Sequence, residues 1–325
     1  MLKKYWFFMG IALVTGISFA LPDVARFIQT YEILTIGIFF AFLLTGLSLE
    51  ASAIFTQMKN IKVLLAALFS SLIFFPIVSY YSCLYLVGCW PDFAIGALII
   101  GVAPVTVASG TVMTAMALGN VPLSLFICVL GNFFSIFTIP LMIKLILQFG
   151  DVSIHLPVFK MLMGLMINVL LPTLVGQILR QWLKEKMIPY KPAISIFNQI
   201  IVLLIILNAI SSSASQILKT GKALFMVFSF MIGLHIFILI INKILAGLIR
   251  LDLPSTAAFT IHTSQKTLTI SYIVWAGYFA IEYPMALIPG IAYHLTQMIM
   301  DTFLAHWFRN EVELSVVRAK NCCGA

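Results

Sequence analysis

Apolar runs long enough to cross a bilayer follow one another from end to end of this chain, separated by polar breaks of a few residues. A chain built this way cannot fold in water. The runs fall near 5–21, 33–49, 62–88, 93–115, 121–147, 157–180, 194–213, 222–249, 255–280 and 283–307, each of the order of the 20 residues that a helix needs to span the hydrocarbon. Only 9% of the 325 residues are charged, 62% are hydrophobic and the mean hydropathy is +1.10, so a globule could not clothe its surface in water-compatible groups. In lipid each backbone polar group must be satisfied inside its own segment, which selects helices. The expectation is an all-α polytopic membrane protein of about ten transmembrane helices, with the lipid bilayer as its solvent and no room for a soluble domain.

The net charge of +8 then reads as a topology signal and not as the footprint of a nucleic acid. With the N-terminus inside, the inner segments hold Lys3, Lys4, Lys59, Lys62, Arg180, Lys184, Lys186, Lys191, Arg250, Arg309, Arg318 and Lys320. The outer segments hold Arg26, Lys144, Lys160, Lys219 and Lys222, while Lys243 and Lys266 fall inside runs. This bias places both termini in the cytoplasm, and very short loops suit a bacterial inner membrane. The first run, preceded by Lys3 and Lys4 and entered through Tyr5 and Trp6, has signal-peptide features. It reads as a spanning helix, because removing it leaves an odd number of spans and spoils the charge pattern. Cys83, Cys89, Cys128, Cys322 and Cys323 show no metal-ligand spacing.

Ten spans divide at the loop from Gly150 to Leu156. The expected units are a first five-helix repeat over 1–150, a second, inverted one over 151–310, and a cytoplasmic tail over 311–325. Two runs at matching positions are interrupted. The fourth contains Gly101-Val102-Ala103-Pro104-Val105-Thr106-Val107-Ala108-Ser109-Gly110, where Pro104 removes a backbone donor and Gly110 weakens the helix. The ninth contains Thr260-Ile261-His262-Thr263-Ser264-Gln265-Lys266-Thr267-Leu268, too polar to face lipid. Paired broken helices point to a binding site near the midplane; a polar kink packed against neighbours is the plainer reading of either break alone.

These segments resemble the bile acid:sodium symporter family, solute carrier family 10, in the branch that includes its seventh human member and bacterial relatives. The resemblance rests on Val105 to Thr114, on Gly119-Asn120 with Leu130-Gly131-Asn132, on Ser264 to Leu268 and on Tyr293-His294-Leu295-Thr296-Gln297. It implies a panel of spans 1, 2, 6 and 7 beside a core of spans 3–5 and 8–10, with the broken fourth and ninth helices crossing in that core. It also implies alternating-access transport of amphipathic organic anions with sodium. The implied substrate and ion region comprises Pro104, Thr106, Ser109, Gly110, Thr114, Ser124, Asn132, Thr260, His262, Thr263, Ser264, Gln265, Lys266, Thr267, His294 and Gln297. Sodium is the one ion implied, with Ser109, Ser124, Ser264 and Gln265 as its donors; no resident cofactor is expected. The chain departs from the family pattern at Gly110, where an Asn is usual, at Cys128, where a Thr is usual, and at Thr260, where an acid is usual.

Those departures remove hard oxygen ligands, and Lys266 offers a physical alternative: its ammonium could stand where a sodium would, or titrate and couple transport to protons, with His262 as a second proton carrier. A structural tie for Lys266 and a hydrogen-bonded role for His262 stay open. His294, Gln297 and Asp301 share one helix face, and Asp301 is expected in an aqueous vestibule or paired with Lys243. Lys243 itself reads as snorkelling to the inner surface. Glu50 and Glu282 read as interface and loop residues. The leading function is secondary active transport of a small organic, anionic and amphipathic solute; a proton-coupled carrier or a non-transporting regulatory protein of the same fold is the alternative. The absence of paired acids, a zinc-type cluster or a Ser with a basic partner argues against an intramembrane enzyme.

Overall fold

The computed structural model describes residues 2–49, 57, 60–88, 90–106, 108–149 and 156–323. Glu50, Lys59, Cys89, Val107 and the segment 150–155 lie outside the described residues, as do the side chains of Lys3, Lys4, Tyr5, Lys184, Arg318, Lys320, Cys322 and Cys323. All described regular structure is helical. Helix α1 is Leu2–Ala20, and α2 (Val24–Thr30) leaves it at 100° after a turn at Pro22 and Asp23. There follow α3 (Ile33–Ser48), α4 (Ile61–Val87), α5 (Pro91–Val102), α6 (Ala108–Met116), α7 (Val121–Phe149), α8 (Val158–Leu183) and α9 (Lys191–Lys219). The chain ends with α10 (Gly221–Leu248), α11 (Leu253–Ser264), α12 (Leu268–Tyr278) and α13 (Ile288–Cys323).

Among the described residues α4, α7, α8, α9 and α10 are unbroken and both long and apolar enough to cross a membrane. The protein is an integral, multi-pass membrane protein. The last helix departs from the sequence expectation at both ends. The run expected over 283–307 begins as turns, and its helix starts only at Ile288, with Pro289 in the first turn where its missing N–H is harmless. It then continues through the expected tail to Cys323, supported by an i,i+4 ion pair of Arg309 with Glu313 at 2.9 Å.

Helices α5 and α11 are built alike. Each carries a proline in its first turn, at Pro91 and Pro254, and each ends by passing into extended backbone, at Ala103 (φ −61°, ψ 145°) and Gln265 (φ −73°, ψ 150°). Pro104 forces this at Ala103, since its ring excludes the helical region for the residue before it. Helix α6 then resumes the first broken run and α12 the second.

One layer is formed by α1 on α9 and α3 on both α8 and α9. The crossing of α3 and α8 is a backbone contact: a Cβ at Gly46 would strike the Thr173 carbonyl, and one at Gly176 the Leu43 carbonyl. In the remainder, α4 packs on α5 and α10 on α11, while α5 lies against α13 and α11 against α7. Each half of the chain thus makes the same kinds of pairing. The buried apolar side chains of both layers merge in one large cluster that includes Phe75, Leu98, Ile206 and Trp275.

Candidate functional site

The two breaks meet. The Thr267 N–H donates to the Pro104 carbonyl at 2.9 Å, so one freed backbone group of each broken run satisfies the other. Side chains cover the rest. Gln297 on α13 clamps the Lys266 peptide, accepting from its N–H at 2.8 Å and donating to its carbonyl at 2.9 Å. Asn132 on α7 donates to the Val105 carbonyl at 3.1 Å and to the Cys128 carbonyl at 2.9 Å. Without such partners an interrupted helix in hydrocarbon would expose several unmade hydrogen bonds.

A cavity of about 200 Å³ lies against this junction. One wall is the start of both half-helices: Thr106 and Ser109 lead into α6, and Thr267, Leu268 and Thr269 lead into α12. The opposite wall comes from the other layer, with Phe42 and Thr45 of α3 and Asn198 and Gln199 of α9. His294 and Met298 of α13 and Phe7 of α1 complete it. The surface of the lining is mainly apolar, and among the described residues it carries no Lys, Arg, Asp or Glu. The N-terminal ends of α6 and α12 bring the positive poles of two half-helices to this wall.

Behind the wall runs a buried polar chain. The Thr106 hydroxyl donates to Gln265 Oε1, as does Ser109 Oγ at 2.9 Å, and the two hydroxyls lie 2.6 Å apart. Gln265 Nε2 donates to Asp301 Oδ2 at 2.7 Å. The other carboxylate oxygen faces His235 Nε2 at 2.9 Å, His235 Nδ1 faces the Tyr293 hydroxyl at 2.8 Å, and that hydroxyl donates to the Ser264 carbonyl at 2.7 Å. Because Tyr293 spends its proton on Ser264, Nδ1 must be the donor to it. One proton then remains between His235 and Asp301, and the pair is neutral overall. Asp301 is thus neither in an aqueous vestibule nor paired with Lys243, because α10 turns His235 inward and Lys243 outward. The Lys243 ammonium sits 4.2 Å from the Trp307 ring centroid.

His262 occupies a notch on the far side of the first break. Its Nδ1 bonds the Ser124 hydroxyl, Thr114 joins the group at 3.2 Å from Ser124 Oγ, and a Cβ on Gly110 would stand 2.7 Å from the ring. The four expected sodium donors do not converge. Ser109 and Gln265 bond each other, Ser124 is held by His262, and Ser264 Oγ turns back to the Thr260 and Ile261 carbonyls of its own helix at 3.0 and 2.9 Å. Thr260 and Thr263 are fully buried and their hydroxyls bond nothing among the described residues. His294 reaches the cavity and bonds Gln297 at 3.0 Å.

Lys266 is also fully buried. Its ammonium donates to the Ser71 carbonyl at 2.5 Å, to Ser71 Oγ at 3.1 Å and to the Ala103 carbonyl at 2.9 Å, and it lies 4.4 Å from the Phe75 ring centroid. Ser71 belongs to a π-helical turn, Phe69–Phe74, inside α4, a widened turn that leaves its carbonyl free for an outside donor.

Sequence reasoning passed over His235. Its signal was present: an imidazole in the middle of the apolar α10 and an acid inside α13 are each too costly to leave unpaired in a bilayer, and together they ask to be joined.

Known proteins resemble this chain over most of its length. Over 95% of its length the chain is 28% identical to the probable sodium/metabolite cotransporter BASS4, chloroplastic, of Arabidopsis thaliana, covering 74% of that protein. It is 25% identical to sodium/bile acid cotransporter 7 of Xenopus tropicalis, over 93% of this chain and 91% of the relative. An uncharacterized protein of Pseudomonas aeruginosa is 27% identical over 63% of the chain. The model of the SBF-like CPA transporter family matches residues 5–310, and the chain belongs to that family, a branch of the bile acid:sodium symporters and not a group of enzymes.

Proposed function

We propose that this protein is a secondary active transporter of a small, amphipathic organic anion, working by alternating access. The observation that carries the reading is the cavity itself, which reaches the meeting point of two broken helices and is walled by the N-terminal ends of α6 and α12. Apolar lining suits a hydrocarbon body, and two helix N-termini suit an anionic head. The like pairings of the two halves, with Asn132 serving one break as Gln297 serves the other, support an inverted repeat of five and five spans. The Lys and Arg bias supports cytoplasmic termini, as expected of a bacterial inner-membrane carrier.

The names of the relatives bring sodium into the reading as the driving ion. Proton coupling is the second reading, favoured by the single proton shared in the Asp301 and His235 pair, which touches the cavity wall through Gln265. The test is uptake of taurocholate, an amphipathic organic anion, into proteoliposomes under an inward sodium gradient, an inward proton gradient or neither. Saturable accumulation that Ala41→Trp abolishes by filling the cavity is expected. Accumulation with sodium alone selects the first coupling, and with protons alone the second. Uptake that neither gradient raises and that Ala41→Trp leaves unchanged overturns transport and leaves the regulatory alternative.

A further inference from the structure

The surroundings of Lys266 are those of a cation site. Three oxygens and a phenyl face converge on one point with no carboxylate among them: among the described residues the ion pairs of acids are made by Arg26, His235 and Arg309, not by Lys266. The charge is compensated by dipoles. Ala103 is the residue at which α5 ends, so its carbonyl is the negative pole of that half-helix, and α11 also ends beside Lys266, at Ser264. An ammonium has three N–H donors, and three acceptors stand at 2.5, 2.9 and 3.1 Å from it. A neutral amine would offer two donors and turn its lone pair on an oxygen. The Phe75 face adds an attraction that only a cation receives.

We propose that the pocket formed by Ser71, Phe75 and Ala103 is a monovalent-cation site whose permanent occupant is the chain's own Lys266 ammonium. A mobile sodium is thereby excluded from the negative ends of α5 and α11. If the transporter reading holds, any sodium that drives it binds elsewhere; the site itself is tested without transport. Emptied of its tether, the pocket takes an organic ammonium in preference to sodium, because three oxygens and a ring face serve a three-donor cation, while a bare sodium wants a fuller oxygen shell.

Lys266→Ala removes the equivalent of n-propylammonium, which makes that ion the natural probe. In detergent-purified protein, Lys266→Ala is expected to lower Tm by about 5 °C or more, and n-propylammonium chloride is expected to restore at least half of the loss saturably. The same concentrations of 1-propanol, of equal size without charge, and of sodium chloride should not. Rescue by 1-propanol as complete as by propylammonium overturns the cation site and leaves a packing role. Rescue by sodium alone overturns the exclusion of sodium. Lys266→Met keeps the bulk and removes the charge, and should fall in Tm as well; a Met variant as stable as the wild type overturns the proposal. Should Lys266→Ala fail to fold, expression in medium with propylammonium gives the same reading through recovered folded protein. Loss of taurocholate uptake with an intact rescue would count against the transport function and not against this site.

Discussion

At the residue scale Gly110 and His262 constrain each other. A methyl at Gly110 would stand 2.7 Å from the imidazole, so the ring must leave Ser124 or the half-helix must shift. Gly110→Ala is therefore expected to cost about 1–3 kcal/mol as an overpacked core does, and much of that cost should vanish when His262→Ala is added, because the space is then free. A double-mutant cycle read by Tm checks this; purely additive effects would show that ring and glycine do not compete. The Asp301 and His235 pair invites a second cycle. His235→Leu leaves a buried carboxylate without its partner and should lose about 3–5 kcal/mol, whereas His235→Leu with Asp301→Leu should lose much less. Here the sequence was only half legible. Gly110 stood out because an amide residue is usual there, and Asp301 stood out as a lone acid in a span. What each one touches depends on how α10, α11 and α13 are rotated against their neighbours, and rotation leaves no mark on a single chain.

At the scale of the element the breaks themselves were readable, since Pro104 and the polar run from Thr260 to Thr267 cannot continue a lipid-facing helix. The remedy for each break was less readable: Asn132 was flagged through family resemblance and Gln297 through that resemblance and its helix face with His294 and Asp301, and the structure shows their work as peptide clamps. Their tasks differ in size. Gln297 serves both the N–H and the carbonyl of Lys266, while at the break Asn132 serves the Val105 carbonyl alone, its other bond going to its own helix. Each buried group left unpaired costs about 1–3 kcal/mol. Gln297→Leu should thus lower Tm more than Asn132→Leu, and a larger loss in Asn132→Leu would contradict the clamp assignment. Helix α13 runs on through the segment expected as a tail, where Arg309 pairs with Glu313 one turn further along.

At the scale of the whole molecule the cavity separates two layers that meet chiefly through side chains, whereas α3 and α8 within one layer are locked by backbone contact at Gly46 and Gly176. Relative motion is expected between the layers and not inside them, because a backbone contact without Cβ atoms has little play. The present arrangement also has a direction. Asn198 lines the cavity two turns into α9, and α9 begins at Lys191 after a connection that carries Lys184 and Lys186 and follows Arg180 in the last turn of α8. On the topology proposed from the Lys and Arg bias that connection faces the cytoplasm, and the cavity is expected to be reached from there. With Cys89, Cys322 and Cys323 replaced by serine, Asn198→Cys should react with a membrane-impermeant maleimide in inside-out vesicles and resist it in right-side-out ones. Cys83 and Cys128, both buried and free, should stay silent in both. Labelling confined to right-side-out vesicles would reverse the topology, and equal labelling from both sides would mean that the layers exchange faces faster than the reagent reacts.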